Sequence, residues 1–418
     1  MGVSAFFCAA SFLLAGACHH APRVSGPLTH EAYVWQRVWS RPVVDAIALA
    51  GTTLAGFAPL AAEVSWKGRE RVIVRPALDF DALKSSARPV GLVLRIGPYP
   101  GPFAADDDVA TSLAQLARTL ISDAREHGIA PVELQVDFDC AESKLAGYRA
   151  WLRAIREAVA PLPVCPTVLP SWLAQRDFAP LARDCGRFVL QVHAVAPPRL
   201  DGGELQLCDP ARAAAWVETA GKTGVPFRVA LPTYTYLAAF DARGTFLALS
   251  AEGPLPAWPR DAQLRTLRAD ATALSALSQR WVRDRPAPLT GIVWYRLPTA
   301  ADTLNWRWPT LAAIVAGRTP RHSLRVETGD TPPSDITLIN DGEIDEPIPP
   351  RIDAAWSGAR LVAADALEGF ELDRGTGSAS FRATFDLALA RLSPGERRVI
   401  GWLRLDPPER PRVSLHEN

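Results

Sequence analysis

The sequence predicts an α/β protein, a (β/α)8 TIM-type barrel followed by a small C-terminal β-sandwich domain. Three observations predict it. Strand-like and helix-like segments alternate about eight times over roughly 290 residues, the span of such a barrel with insertions. No G-x-G-x-x-G turn follows the first strand, which disfavours a doubly wound open sheet, the competing architecture. After Gly317 the helical stripes stop, and short strand-like segments alternate with turns.

The order of elements follows from local pattern. Ala32 to Trp39 reads as the first strand and Val43 to Ala50 as a helix. Ala58 to Trp66 and Arg71 to Arg75 read as strands, and Pro89 to Gly97 as a buried strand ending near Arg95. Asp106, Asp107 and Asp108 open a helix at its positive end; Val109, Leu113, Leu116 and Leu120 supply its apolar stripe, and Gly128 stops it. The central strand is Val132 to Cys140, with Leu134, Val136 and Phe138 on one face and Glu133, Gln135, Asp137 and Asp139 on the other. Leu145, Tyr148, Leu152 and Ile155 mark the next helix. Strands at Val164 to Leu169 and Arg187 to Val195 follow, with a short helix between them. Asp209-Pro210 caps another helix. Then come the strand Pro226 to Thr233, a long helix from Asp261 to Asp284, the last strand Leu289 to Leu297 and a closing helix near Trp308. In the C-terminal part, Ser323–Glu327, Asp335–Asn340, Ala359–Ala364, Ser378–Phe385 and Arg397–Asp406 read as strands.

The expected domains are a signal peptide over 1–18, a linker over 19–28, the barrel over 29–318, the sandwich over 319–408 and a disordered tail over 409–418. The 418 residues carry 48% hydrophobic and 22% charged side chains, an ordinary globular composition. Lys+Arg and Asp+Glu both number 45, and no basic block stands out, which argues against a nucleic-acid binder. Residues 1–17 are apolar and small, too short for a membrane span but suited to a signal-peptide core. Without Cys8 and Cys18, four cysteines remain, and 140–165 with 185–208 is the disulfide pairing expected; four buried thiols are the alternative.

Barrel sites lie at the C-terminal ends of the strands. Arg37, Glu63, Arg95, Asp137, Asp139, His193 and Arg296 collect there, with the aromatics Tyr33, Trp35, Trp172, Tyr234, Tyr236, Trp294 and Trp306. Carboxylates, arginines and aromatic rings around one mouth suit carbohydrate. Rings stack on sugar faces, while carboxylates bind hydroxyls or act as acid and base. The catalytic candidates are Asp137, Asp139 and Glu63, and the substrate-binding candidates are Trp35, Arg37, Arg95, Trp172, His193, Tyr234, Trp294 and Arg296. The expected partner is a glycan or polysaccharide. No motif calls for a metal, nucleotide or other cofactor.

Three resemblances sharpen these expectations. Leu14-Ala15-Gly16-Ala17-Cys18 resembles the lipobox of bacterial lipoproteins, although no Lys or Arg precedes the apolar core. It implies export to the cell envelope and a lipid anchor on Cys18, the chain's sole expected membrane contact. The segments Tyr33–Arg37, Leu94–Ile96, Gln135–Cys140 with Lys144-Leu145, Leu169–Leu173 and Gln191–His193 together resemble the domain-of-unknown-function 3142 family over roughly residues 29 to 316. That family implies a glycoside-hydrolase-like barrel and no established activity. The central strand also resembles the D-x-x-D-x-D-x-E strand of chitinase-type glycoside hydrolases, with Leu134, Asp137, Asp139 and Ala141 at the four key positions. The acid position holds Ala141, with Glu142 one residue late. Either Asp139 or Glu63 serves as acid, Glu142 reaches in from a bulged loop, or the site no longer catalyses.

Overall fold

The computed structural model describes residues 21–416 except 69, 100, 102, 104–107, 195–205, 251–257, 260, 385–386 and 388–389. The apolar leader with Cys18 lies outside the described residues, as do Asp106, Asp107 and Val195.

Eight parallel strands close into a barrel: β1 (Thr29–Val34), β2 (Gly56–Lys67), β3 (Gly91–Ile96), β4 (Glu133–Phe138), β5 (Val164–Val168), β6 (Phe188–Gln191), β7 (Phe227–Pro232) and β8 (Leu289–Tyr295). Each pairs with the next, and β8 pairs with β1 to shut the ring. The helices α1 (Arg41–Ala50), α2 (Phe80–Ser85), α3 (Asp108–Glu126), α4 (Leu145–Val159), α5 (Phe178–Cys185), α6 (Pro210–Gly221), α7 (Ala271–Arg283) and α8 (Trp308–Val315) follow the strands in turn.

Strand alternation sorts side chains into two cores. Leu134, Val136 and Phe138 face outward and join α4 through Tyr148, Trp151 and Leu152. Tyr33, Leu60, Val93, Cys165, Val189, Ala230 and Val293 face inward and fill the barrel. The polar face of β4 also points inward. Its lower residues are consumed structurally: Arg228 pairs with both Glu31 and Glu133, Gln135 Nε2 donates to Glu133 Oε1 at 2.7 Å, and the Tyr33 hydroxyl donates to Gln135 Oε1 at 2.7 Å.

Several elements differ from expectation. The first strand ends at Val34, so Trp35 and Arg37 stand beyond it at the mouth. The long helix expected from Asp261 is instead a strand, Gln263–Arg268, followed by α7. That strand pairs with Thr235–Phe240 in a three-stranded antiparallel insertion after β7. Leu264 and Leu267 imitate helical spacing, but Asp270 accepts from the Ala273 backbone N–H and so sets the true helix start. Glu70–Val74 pairs antiparallel with β2, outside the barrel. Arg23–Val24, inside the expected linker, pairs with Arg285–Pro286.

The C-terminal region forms two four-stranded antiparallel sheets around one core that includes Ile336, Leu338, Ile352, Phe381, Ile400 and Leu403. The tail expected to be disordered contains a strand, Arg412–His416, paired with Arg351–Ala355. Val413 and Leu415 alternate toward the core and hold it there. Among the described residues the cysteines form no disulfide: Cys140, Cys165, Cys185 and Cys208 are all free and buried, and burial pushes each thiol up.

Candidate functional site

At the C-terminal ends of the strands lies a cavity of about 340 Å³, in the lower range of small-ligand sites. Trp35, Arg37, Glu63, Arg95, Asp137, Asp139, His193 and Tyr234 line it, eight of the residues picked from the sequence.

The charged groups form an ordered row. β3 and β4 place Arg95 directly beside Asp137, and Arg95 Nη1 donates to Asp137 Oδ2 at 2.8 Å. Arg95 also lies 5.8 Å from the centre of the Trp35 ring. On β2, Glu63 takes two hydrogen bonds from Arg37, at 2.7 and 3.1 Å. Asp139 stands one step past the end of β4 and is exposed. Among the described residues it has no ion-pair or hydrogen-bond partner. Asp137 and Glu63 are thus neutralised, and Asp139 presents its carboxylate to the cavity.

Burial pushes the Asp137 carboxyl up to about 6; Arg95 opposes this and Asp139 adds to it. The native state therefore holds this proton more tightly than the unfolded chain does, where 3.8 is the ordinary value. The stability this confers is fully present below about 3.8 and is lost as pH rises through about 6. Across that window the wild type is expected to lose on the order of 3 kcal/mol relative to Asp137→Asn. Urea midpoints of both proteins at about pH 4 and pH 7 check this, and a gap that stays constant refutes it.

His193 is buried, and burial pulls it down to about 3. It is therefore a neutral hydrogen-bonding group at ordinary pH, with Nδ1 3.2 Å from the Tyr234 hydroxyl. Its ring stacks on Tyr295 at 5.4 Å. Tyr236, placed at the mouth by its sequence position, also lines the cavity, as do Tyr295, Thr167 and Gln191, which the sequence does not single out as site residues. Trp35 and Tyr234 are almost fully covered, so Tyr236 and Tyr295 are the more accessible rings.

Three expected binding residues lie elsewhere. Trp172 is fully buried, and its indole N–H donates to the Cys140 carbonyl at 3.0 Å. Trp294 faces the helical layer, with its indole N–H donating to His30 Nδ1 at 3.1 Å. Residues alternate across β8, so Val293 and Tyr295 point in and Trp294 points out. Arg296 is buried, and its Nη2 donates to Asp302 Oδ1 at 2.6 Å. Trp306 is likewise buried, its indole donating to the Ala269 carbonyl. Glu142 does not reach the cavity from a bulged loop. It opens the short turn Glu142–Lys144 and accepts from Gln175 Nε2 at 2.9 Å.

Among solved structures, the chain resembles the spore cortex-lytic enzyme SleL of Bacillus cereus at 13% identity and a TM-score of 0.50, over 70% of this chain and 75% of that one. The corresponding SleL of Bacillus megaterium gives 13% identity and a TM-score of 0.49, over 71% and 75%. A glycoside hydrolase family 18 N-acetylglucosaminidase from Paenibacillus barengoltzii gives 14% identity and a TM-score of 0.45, over 69% and 99%. At such identity the likeness to the Bacillus cereus enzyme shows the barrel fold alone. Comparison with curated proteins gives no match. Residues 325–406 match a second family, described as a domain of unknown function (DUF8456). Residues 86–300, just over half of the chain, match the family described as a domain of unknown function (DUF3142), with β3 to β8 and the row from Arg95 to Asp139 inside the match. The chain is a member of the DUF3142 family.

Proposed function

We propose that the barrel mouth binds a glycan and that Asp139, with Asp137 beside it, cleaves it as a glycoside hydrolase-like pair. One observation carries this reading: Asp139 is the mouth carboxylate left without a cationic partner among the described residues, while Asp137 and Glu63 are held by arginines. In this reading Asp139 exchanges the proton, and Asp137 orients or stabilises the reacting ring. Tyr236 and Tyr295 offer the stacking faces. The apolar leader ending at Cys18 supports an exported, lipid-anchored setting, where the glycans at hand are those of the cell envelope.

A second reading, a glycan-binding protein without catalysis, is favoured by a different observation. Ala141 carries no acid, and Glu142 is turned onto Gln175. Release of reducing ends from a panel of envelope and plant polysaccharides separates the two. The first reading expects release by the wild type and a loss of at least about 100-fold in Asp139→Asn. Release untouched by Asp139→Asn removes Asp139 from the chemistry. No release, with tight binding of one glycan by both proteins, leaves the binding reading.

A further inference from the structure

A second cavity, of about 310 Å³, lies between the barrel and the sandwich. Thr235, Arg268, Asn305 and Trp306 line it from the barrel side, and Asp345 and Arg391 from the sandwich side. It backs onto the mouth: Tyr234 and Tyr236 face the mouth, while Thr235 between them faces this cavity.

Its charge is unbalanced. The Arg268 side chain is partly buried and has no hydrogen-bond or ion-pair partner among the described residues. Arg391 donates through Nη1 to a backbone carbonyl, that of Asp345, at 3.0 Å. Arg307, close enough to act on Asp345, donates to the Ser393 hydroxyl and to the carbonyls of Ala300 and Asp302. Three guanidinium groups thus surround one carboxylate, Asp345, and no direct ion pair joins them among the described residues. Asp345 Oδ1 is buried without a hydrogen-bond partner there, the carboxylate's side-chain hydrogen bond goes to Ser393, and its charge acts on the three guanidinium groups only from a distance. Burial, then the neighbouring Arg391, pull the Arg268 guanidinium down to about 10, and Asp345 opposes this. A partly buried guanidinium without an acceptor is costly, and its planar fork matches a carboxylate or phosphate.

We propose that this cavity is an oxyanion site, occupied by the carboxylate or phosphate group of a small ligand held between Arg268 and Arg391. It stands apart from the glycan reading of the mouth, which uses other residues. Isothermal titration of the full chain with inorganic phosphate and, separately, with glucuronate tests it. Saturable binding of either anion is expected, and the tighter of the two identifies the group. Arg268→Gln is expected to weaken that binding at least about tenfold, and Asp345→Asn to tighten it at least about threefold by removing the opposing charge. Because tightening cannot come from damage to the fold, the second variant remains informative if the first folds poorly. Arg95→Gln, which alters the cationic row of the mouth, is expected to leave the affinity within about twofold. Absence of binding by the folded wild type overturns the proposal. So does an affinity unchanged in Asp345→Asn, and so does loss of binding in Arg95→Gln, which places the anion in the mouth.

Discussion

Replacing Arg228 by methionine is expected to cost the folded protein about 3–5 kcal/mol at neutral pH, because it leaves two buried carboxylates without their shared cation. Arg228 contacts Glu31 and Glu133 on opposite sides of the barrel floor, and Glu133 also holds Gln135, which holds Tyr33. Burial already pushes the Glu31 carboxyl up; Arg228 pulls against this, and Glu133 adds to the rise. Without Arg228 the Glu31 carboxyl moves further above its ordinary value of 4.5. Groups raised in this way stabilise the fold below that value and lose their contribution as pH rises through the new one. The deficit of Arg228→Met is therefore expected to shrink in acid. Adding Glu31→Gln and Glu133→Gln to the same variant is expected to recover most of the loss, since neutral amides need no counterion. Urea midpoints at two pH values measure all three. An Arg228→Met protein as stable as the wild type at neutral pH would mean the floor tolerates free carboxylates.

The same strand explains how much of this protein is legible in its sequence. Period-two alternation in Val132–Cys140 puts Glu133, Gln135, Asp137 and Asp139 on one face, and an α/β setting makes that face the barrel interior. The pattern carries no depth. Glu133 and Gln135 lie on the floor and are locked by Arg228 and Tyr33, while Asp137 and Asp139 reach the mouth. Arg228 comes from β7, far along the chain, and no local signal ties it to β4. A parity error accounts for Trp294, which takes the outward phase while Tyr295 shares the inward phase with Val293. Arg296 lies past the strand's end at Tyr295 and is drawn away by Asp302. Reading β8 by parity rather than by residue type would have found Tyr295. Thr167 gives no such signal, because a threonine inside a buried strand is ordinary. The insertion after β7 was masked by Leu264 and Leu267, whose spacing of three suits one face of a helix, whereas in the strand they lie on opposite faces.

Trp172 separates a sugar platform from a structural clamp, and its substitution is expected to behave as the clamp requires. The indole is fully buried and lies edge-on to Tyr148 at 6.0 Å. Tyr148 in turn donates to the Val136 carbonyl at 3.2 Å and packs on Phe138. With the indole N–H on the Cys140 carbonyl, the two rings grip the end of β4 on either side of Asp137 and Asp139. Trp172→Ala removes both the packing and the hydrogen bond and is expected to cost about 3–5 kcal/mol. Trp172→Phe keeps most of the bulk but leaves the Cys140 carbonyl unpaired, at about 1–3 kcal/mol. On the proposed reading of the mouth, glycan affinity is expected to fall together with stability, because Asp139 loses its position when the strand end slackens. A platform would behave in the opposite way, with affinity collapsing in Trp172→Ala at unchanged urea midpoint and Trp172→Phe retaining both. Measuring midpoint and affinity together on the two variants decides between them. Stability at the wild-type level in Trp172→Ala would return this residue to the mouth.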